Sequence, residues 1–544
     1  MQKKPFYRQR RYWIAAIVLL IVCIGQVPMP LRVSKETSGI DSPICPDGTP
    51  DYFAVYEQTY IDKLLPAEDN GMSLIVAALG PKVLEQAALA KEVPWEQMPT
   101  NEQSKDWFIT YYVPLCEHLG IDPYTKPHYY HTAGFYTMFK EKKLDSKEDP
   151  DGNQLYNKLV SAPFEKTDYL EVAQWLNERN PVLDLFGTAV RKTNYVCWHQ
   201  RPQKEKSFVY AVLLPEMQAQ REFFHDLRVR IAARLGSGDI DGAWYDIMSM
   251  LYLSRKHYIH QPFLVGSLIG FAAETQAYEA LDILLHQNGL SQAQLTRFAA
   301  ELSALPRADA LREAVRMELL LPYMILVHRH YYHNYGGGVL SPRNPFERMM
   351  LMPLEMPIDL NIAGKQITSF YRQHRIDVNN DTDFPLDVRT LQERYRTAST
   401  QLERKEEYME KMTAYLPLLA LSSVRIRSQV CGDIALFEGS PALGAVYQVV
   451  QRVNARLEVM RLAILIERYK LDTGSYPQSL DKLVPKYIDA VPFDPCTRQN
   501  TLTYKLKPSA DTAYLLYSFG PNGTDDGGIE HTDRSGKSDF VFKR

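Results

Sequence analysis

Gly236-Ser237-Gly238-Asp239-Ile240-Asp241-Gly242-Ala243-Trp244-Tyr245-Asp246-Ile247-Met248-Ser249-Met250-Leu251 decides the fold class. After the Gly-Ser-Gly break, Ile240, Trp244, Ile247 and Leu251 recur four, three and four apart, the period of one helix face. Residues 239–257 therefore read as a helix whose apolar stripe must pack on neighbours. Arg221–Leu235 before it and Phe263–His286 after it supply them, joined by short turns as antiparallel helices are. Ser291 offers an N-cap for a helix to about Leu305, and Arg307–Tyr332 supplies another. From Asp51 to Leu305 the same spacing recurs, with Pro and Gly between segments and few strands. The Gly-Asp turn and "GAW" helix look like a tetratricopeptide hairpin. No period of about 34 residues runs along the chain, however, so an irregular helical domain is the reading for 51–333.

Outward from this region, the 544 residues exceed one domain and call for several hydrophobic cores. Acidic residues (65) slightly outnumber basic ones (62), for a net charge of −3. A general nucleic-acid binder would need a clear basic excess, so that class is set aside. The N-terminus has Lys3, Lys4, Arg8, Arg10 and Arg11 in a basic tail, 1–11, followed by an apolar run from Tyr12 to Gly25. With Val27 and Met29 the run approaches the roughly 20 residues that cross a bilayer, and Pro28 and Pro30 end it. No small-x-small cleavage pattern follows, and Val22 precedes Cys23 where a lipoprotein site takes Gly or Ala. An uncleaved signal-anchor at 12–29 is therefore favoured over a cleaved signal peptide. Its positive flank stays in the cytoplasm, which places the bulk of the chain outside it, single-pass, at a bacterial inner membrane.

Residues 30–50, with Pro43, Pro46 and Pro50 among Ser, Thr and Gly, read as a tether. Residues 334–440 read as a loop-rich insertion, with Gly336-Gly337-Gly338 and the polar stretch 377–387, followed by a charged connecting helix at about Leu391–Tyr415. Of the six cysteines, Cys23 lies in the apolar run; the other five show no C-x-x-C pair. A zinc ribbon and a thioredoxin motif are thus absent, and buried thiols or one disulfide both stay open.

Beyond Ser440-Pro441, Val446, Val450, Val453, Leu457, Met460 and Ile464 form one helical seam. Tyr469-Lys470-Leu471-Asp472-Thr473-Gly474-Ser475-Tyr476-Pro477 follows, then Leu483-Val484-Pro485 and Val491-Pro492-Phe493-Asp494-Pro495. This run resembles the globular part of the major pseudopilin of type II secretion systems. The resemblance covers 441–544 and implies a long helix followed by a small antiparallel sheet, with Tyr504-Lys505 and Tyr514–Ser518 in strands. The whole layout resembles uncharacterised signal-anchored bacterial proteins with this ending, which lend no activity. Pseudopilins carry their apolar half-helix directly on the head. Here the apolar segment is more than 400 residues away and lacks the family's leader junction, which argues against filament assembly.

The resemblance also implies a calcium site in the last loop. Asn522 and Asp539 occupy its matching positions, with Asp525 and Asp526 in the adjoining Gly-rich turn; oxygen donors of this kind suit calcium. The alternative is a turn whose side chains cap their own backbone. Other signals are incomplete. Asp377, Asn379, Asp381 and Asp383 begin like an EF-hand, but Thr382 replaces the needed Gly and Val388 the bidentate Glu. On a helix His330 and His333 share a face while His328 points away, and His128 with His131, and Cys197 with His199, are weaker signals still. Ser535-Gly536-Lys537-Ser538 has His531 where a phosphate loop has its first Gly. No H-E-x-x-H or G-x-S-x-G is present.

The expectation is a mainly α protein: N-terminal transmembrane helix, irregular helical domain and C-terminal α+β pseudopilin-like domain. It serves as a membrane-anchored, non-enzymatic structural or interaction protein, with the membrane and a protein as partners. The alternatives are an extracytoplasmic hydrolase whose site is assembled from distant residues, and a type II secretion or pilus-associated component.

Overall fold

Helix-forming periodicity is realised along most of the chain. The computed structural model describes residues 27–60, 67–83, 95–97, 100, 105–130, 132–142, 149, 151–199, 201, 215–308, 311–332, 358–374, 423–439, 443–497, 500–509, 512–529 and 539–544. The tail at 1–11, all but the last three residues of the expected anchor at 12–29, and the expected helix at 391–415 lie outside them. Among the described residues no helix is long and apolar enough to cross a membrane. The helices used below are α1 (Tyr52–Tyr60), α2 (Gly71–Leu79), α3 (Leu170–Ala189), α4 (Pro215–Gly236), α5 (Ile240–Tyr252), α6 (Leu264–Leu285), α7 (Gln292–Ser303), α8 (Arg312–Tyr332), α9 (Leu360–Gln373), α10 (Val424–Gly439) and α11 (Leu443–Thr473). Shorter helices lie between these, and one antiparallel sheet is ordered β1 (Thr503–Ser509), β2 (Thr512–Ser518), β3 (Phe540–Lys543). The fold is mainly α, as the patterning implies, with a small antiparallel sheet.

The chain divides into two compact units, each built from discontinuous stretches. The first lies within Met1–Gln58, Arg201–Val212 and Val315–Gly444. Here two sequence expectations are corrected. Residues 30–50 are packed rather than a free tether: Thr37, Ser38, Ile40 and Thr49 are buried. Ser38 Oγ donates to Ser34 O and Ile40 O, and the Tyr52 hydroxyl donates to Ser38 O at 2.8 Å. Composition alone hides this, because hydroxyl side chains can satisfy an irregular backbone locally. The stretch read as loop-rich, 334–440, contains α9 and α10 packed together. Asp359 caps α9, accepting from Asn361 N at 2.9 Å, while Leu360, Ala363, Ile367 and Phe370 form its buried stripe. A Met- and Pro-rich stretch before it and a polar one after it masked that period. Arg201 binds Asp51 and Glu57 and lies over the Phe53 ring, fixing the start of α1.

The second unit comprises Thr59–Gln200, Leu213–Ala314 and Ala445–Arg544. Within it α4, α5 and α6 pack successively, as the stripe of α5 requires. Asp239 caps α5, and the Trp244 ring stacks on Phe298 of α7 with centroids 3.9 Å apart. Ser291 caps α7 in a reciprocal capping box with Gln294. In α11 the expected seam is buried, and so are Ala455, Val459, Leu462, Ala463, Leu465 and Ile466 on its other sides. Those from Leu457 to Ile466 share one hydrophobic cluster with α2, α5, α6 and α7, joined by Tyr514, Leu516 and Phe542 of the sheet. The sequence boundary at 441 thus lies close to a change of unit, but the terminal helix and sheet belong to the same unit as most of the helical region. Gly474, at φ +80°, ends α11 with its N–H donating to Lys470 O at 2.8 Å, a left-handed stop that glycine adopts without steric cost.

His257 closes the turn after α5, its Nε2 2.8 Å from Val190 O. Burial pushes its imidazole down to about 4 from an ordinary value near 6.5. The folded value lies below the unfolded one, so the stability this group contributes is complete above about pH 6.5. It is lost as the pH falls through about 4, amounting to about 3 kcal/mol. His257→Gln should therefore flatten the acid limb of stability between those values, read as urea midpoints across that range. An unchanged slope counts against the assignment.

Candidate metal centre

Tyr195, Cys197 and His199 are spaced two apart, so an extended chain presents them on one side. The segment is fixed beside α2. Gly71 N donates to Asn194 O and Asn194 N to Asp69 O. Asn70 brackets Val196, its amide donating to Val196 O at 2.8 Å while its carbonyl oxygen accepts from Val196 N at 3.0 Å. The same oxygen accepts from Met72 N and caps α2. Gly71 permits this approach, because a Cβ there would sit 2.1 Å from Ala189 O.

The third donor comes from the next helix. Pro215 and Glu216 open α4, where a proline and an anion are both favoured. Glu216 Oε1 lies 2.8 Å from His199 Nε2. Ligand atoms from Cys197, His199 and Glu216 all lie within 4.8 Å of one another, and all three residues are buried. One turn along α4, Gln220 Oε1 accepts from the Tyr195 hydroxyl at 2.8 Å. Two successive turns of α4 therefore hold one side of the 195–199 segment, which sets its register.

The surroundings are apolar and aromatic. The Tyr60 ring is stacked on His199 at 6.1 Å, and Phe263 meets it edge-on. Burial first, and then the Glu216 charge, push the Cys197 thiol well above its ordinary range, so the cation-free site holds a neutral thiol. Burial, with Glu216 and Cys197 adding to it, likewise raises the Tyr60 phenol, which stays protonated. Glu216 Oε2 and the Gln261 carbonyl oxygen are buried with no hydrogen-bond partner among the described residues, an arrangement that costs about 1–3 kcal/mol for each neutral group and more for a charged one. Sulfur, imidazole and carboxylate together suit zinc and its neighbours among transition metals rather than calcium or magnesium.

The sequence shows the Cys197/His199 pair but not Glu216, 17 residues beyond His199 and matching no spacing template. An alternating Cys-x-His followed by a helix-opening Pro-Glu is the signal that was there.

The expected calcium residues do converge on the last loop. Asp539, buried, accepts from Gly528 N at 2.7 Å and from Asp526 N. Asp525 accepts from Gly527 N and the Tyr517 hydroxyl, and Asn522 accepts from Thr524 N while its amide donates to Asp526. Burial raises the Asp539 carboxyl above its usual range despite those two backbone donors, with Asp526 and Asp525 adding to the rise. These oxygens serve the backbone of their own turn. A calcium titration followed by thermal melting separates the two readings: a rise assigns them to the ion, no change leaves them to the turn.

The other sequence candidates do not add a site. Residues 377–388, His131, His333 and 530–538 lie outside the described residues, as does the side chain of His330, and His328 is buried in α8. Cys45, Cys116, Cys197, Cys431 and Cys496 are all free thiols.

No family model, curated protein or solved structure matches the chain.

Proposed function

We propose that the protein is a single-pass, membrane-anchored extracytoplasmic structural protein of bacterial type, in which a pseudopilin-like helix and sheet are built into a helical scaffold. The observation that carries this reading is the burial of α11 on several sides. Val453, Leu457, Met460 and Ile464 are covered, and so are Val459, Leu462, Leu465 and Ile466. A helix whose apolar residues are covered on several sides is an interior helix. Filament assembly would need a long helix with a free apolar face for the next subunit, so this burial counts against the pilus-component alternative. The pseudopilin likeness is supported by the helix that stops at Gly474 and by the three-stranded antiparallel sheet after it. The basic tail and the apolar run at 12–29 support the anchor.

Fractionation with protease protection tests the topology. The full-length chain should pellet with membranes and be degraded when protease is added to spheroplasts. With 1–29 replaced by a cleavable signal peptide, it should appear in the soluble extracytoplasmic fraction. Recovery of the full-length chain in the cytosol, or its protection in spheroplasts, overturns the reading.

A further inference from the structure

We propose that Cys197, His199 and Glu216 bind one zinc ion, which pins the 195–199 segment to the first turn of α4. Three donors of the residue types zinc takes meet within 4.8 Å, all buried. Independently, Glu216 Oε2 sits in this interior with no donor among the described residues. A hydrogen bond from His199 reaches the other oxygen, and among the described residues Cys197 Sγ has a 3.7 Å contact to Trp198 O. A divalent cation supplies what both lack.

The charge balance favours the same occupant. On binding, the Cys197 S–H bond breaks and its proton leaves to solvent. The thiolate, the neutral imidazole's lone pair and the carboxylate then fill three positions, with water in the fourth. Two anionic ligands cancel the charge of Zn²⁺, so the buried centre is neutral, which an apolar setting requires. Without the ion, the same pocket holds a carboxylate with one oxygen unmatched.

The outer groups are arranged to hold the ligands. Asn70 fixes Val196 on both its N–H and C=O. Tyr195 reaches Gln220, and the Tyr60 hydroxyl bonds the Cys197 backbone and the Gln261 side chain. Such partners fix ligand orientation and affinity. The ion contributes to architecture here, and the proposal does not depend on where the protein is located.

The test uses the full-length chain in detergent, stripped with a chelator and titrated with Co²⁺ as a spectroscopic probe. A thiolate-to-cobalt charge-transfer band should grow in the near ultraviolet, saturate at about one equivalent and vanish when Zn²⁺ displaces the probe. Cys197→Ser should abolish the band, and His199→Ala and Glu216→Gln should weaken zinc binding by more than about 10-fold, since even outer partners cost that much. Should the serine variant fail to fold, proton release decides on the wild type: about one proton per zinc near neutral pH supports a thiolate ligand. A folded wild-type chain that shows no band, a band that survives Cys197→Ser, or zinc uptake without proton release overturns the proposal.

Discussion

Replacing Glu274 with alanine should cost about 3–5 kcal/mol of unfolding free energy, the range for removing one partner of a fully buried ion pair. Arg255 and Glu274 are both completely buried. Arg255 Nε lies 2.8 Å from each carboxylate oxygen, and its Nη2 also contacts Glu274. Around the carboxylate, Ser254 and Tyr278 donate their hydroxyls. Around the guanidinium, Asn454 Oδ1 accepts at 2.7 Å and Val453 O at 3.1 Å, both from α11. Asn454 Oδ1 also accepts from Ala308 N. With Glu274 gone, a charged guanidinium would stand in an apolar core, while Asn454 and Ala308 would lose their geometry. Urea unfolding measures the loss as a lower midpoint at an unchanged slope. Arg255→Met with Glu274→Leu should recover most of the deficit, because apolar pairs of similar volume often replace buried ion pairs at little cost. A single variant within about 1 kcal/mol of wild type would sink this account.

Asn70→Ala should cost about 3–7 kcal/mol. It removes the N-cap of α2, worth about 1 kcal/mol. It also strands the buried N–H and C=O of Val196, each costing about 1–3 kcal/mol. Asn70→Asp keeps both accepting contacts but loses the donation to Val196 O, so its loss should be smaller than that of alanine. Because Val196 precedes Cys197, the alanine variant should also weaken cobalt binding in the titration described above. A melt matching wild type would show that the Asn70 amide is not what holds Val196 in place.

Much of the helical architecture is legible in the sequence because amphipathic spacing reports directly on burial. Ile240, Trp244, Ile247 and Leu251 fixed α5, and Ser291 fixed the start of α7. The long α11 was equally readable, whereas the strands around Tyr504 and Tyr514 came from the resemblance rather than from spacing. The period of α9 was not readable, since Leu360, Ala363 and Ile367 lie in a short helix between a Met- and Pro-rich stretch and a polar one. The packing of 30–50 was hidden for another reason: Ser34, Thr37 and Ser38 are ordered by hydroxyl bonds to nearby backbone, which leave no periodic trace. At the candidate centre two ligands stood adjacent and readable. The third was contributed by tertiary placement of the first turn of α4, which no local pattern encodes.

The second unit is assembled from stretches that begin at Thr59 and finish at Arg544. Arg255 waits for Val453 and Asn454, and the cluster that holds Leu251 waits for Leu457 and Ile464, across some 200 residues of chain. During synthesis, therefore, this core cannot close as the helical region emerges. Non-local closure of this kind is slow. A nascent chain whose second core stays incomplete until its final hundred residues arrive leaves apolar helix faces uncovered for most of its synthesis, and depends over that time on protection against aggregation.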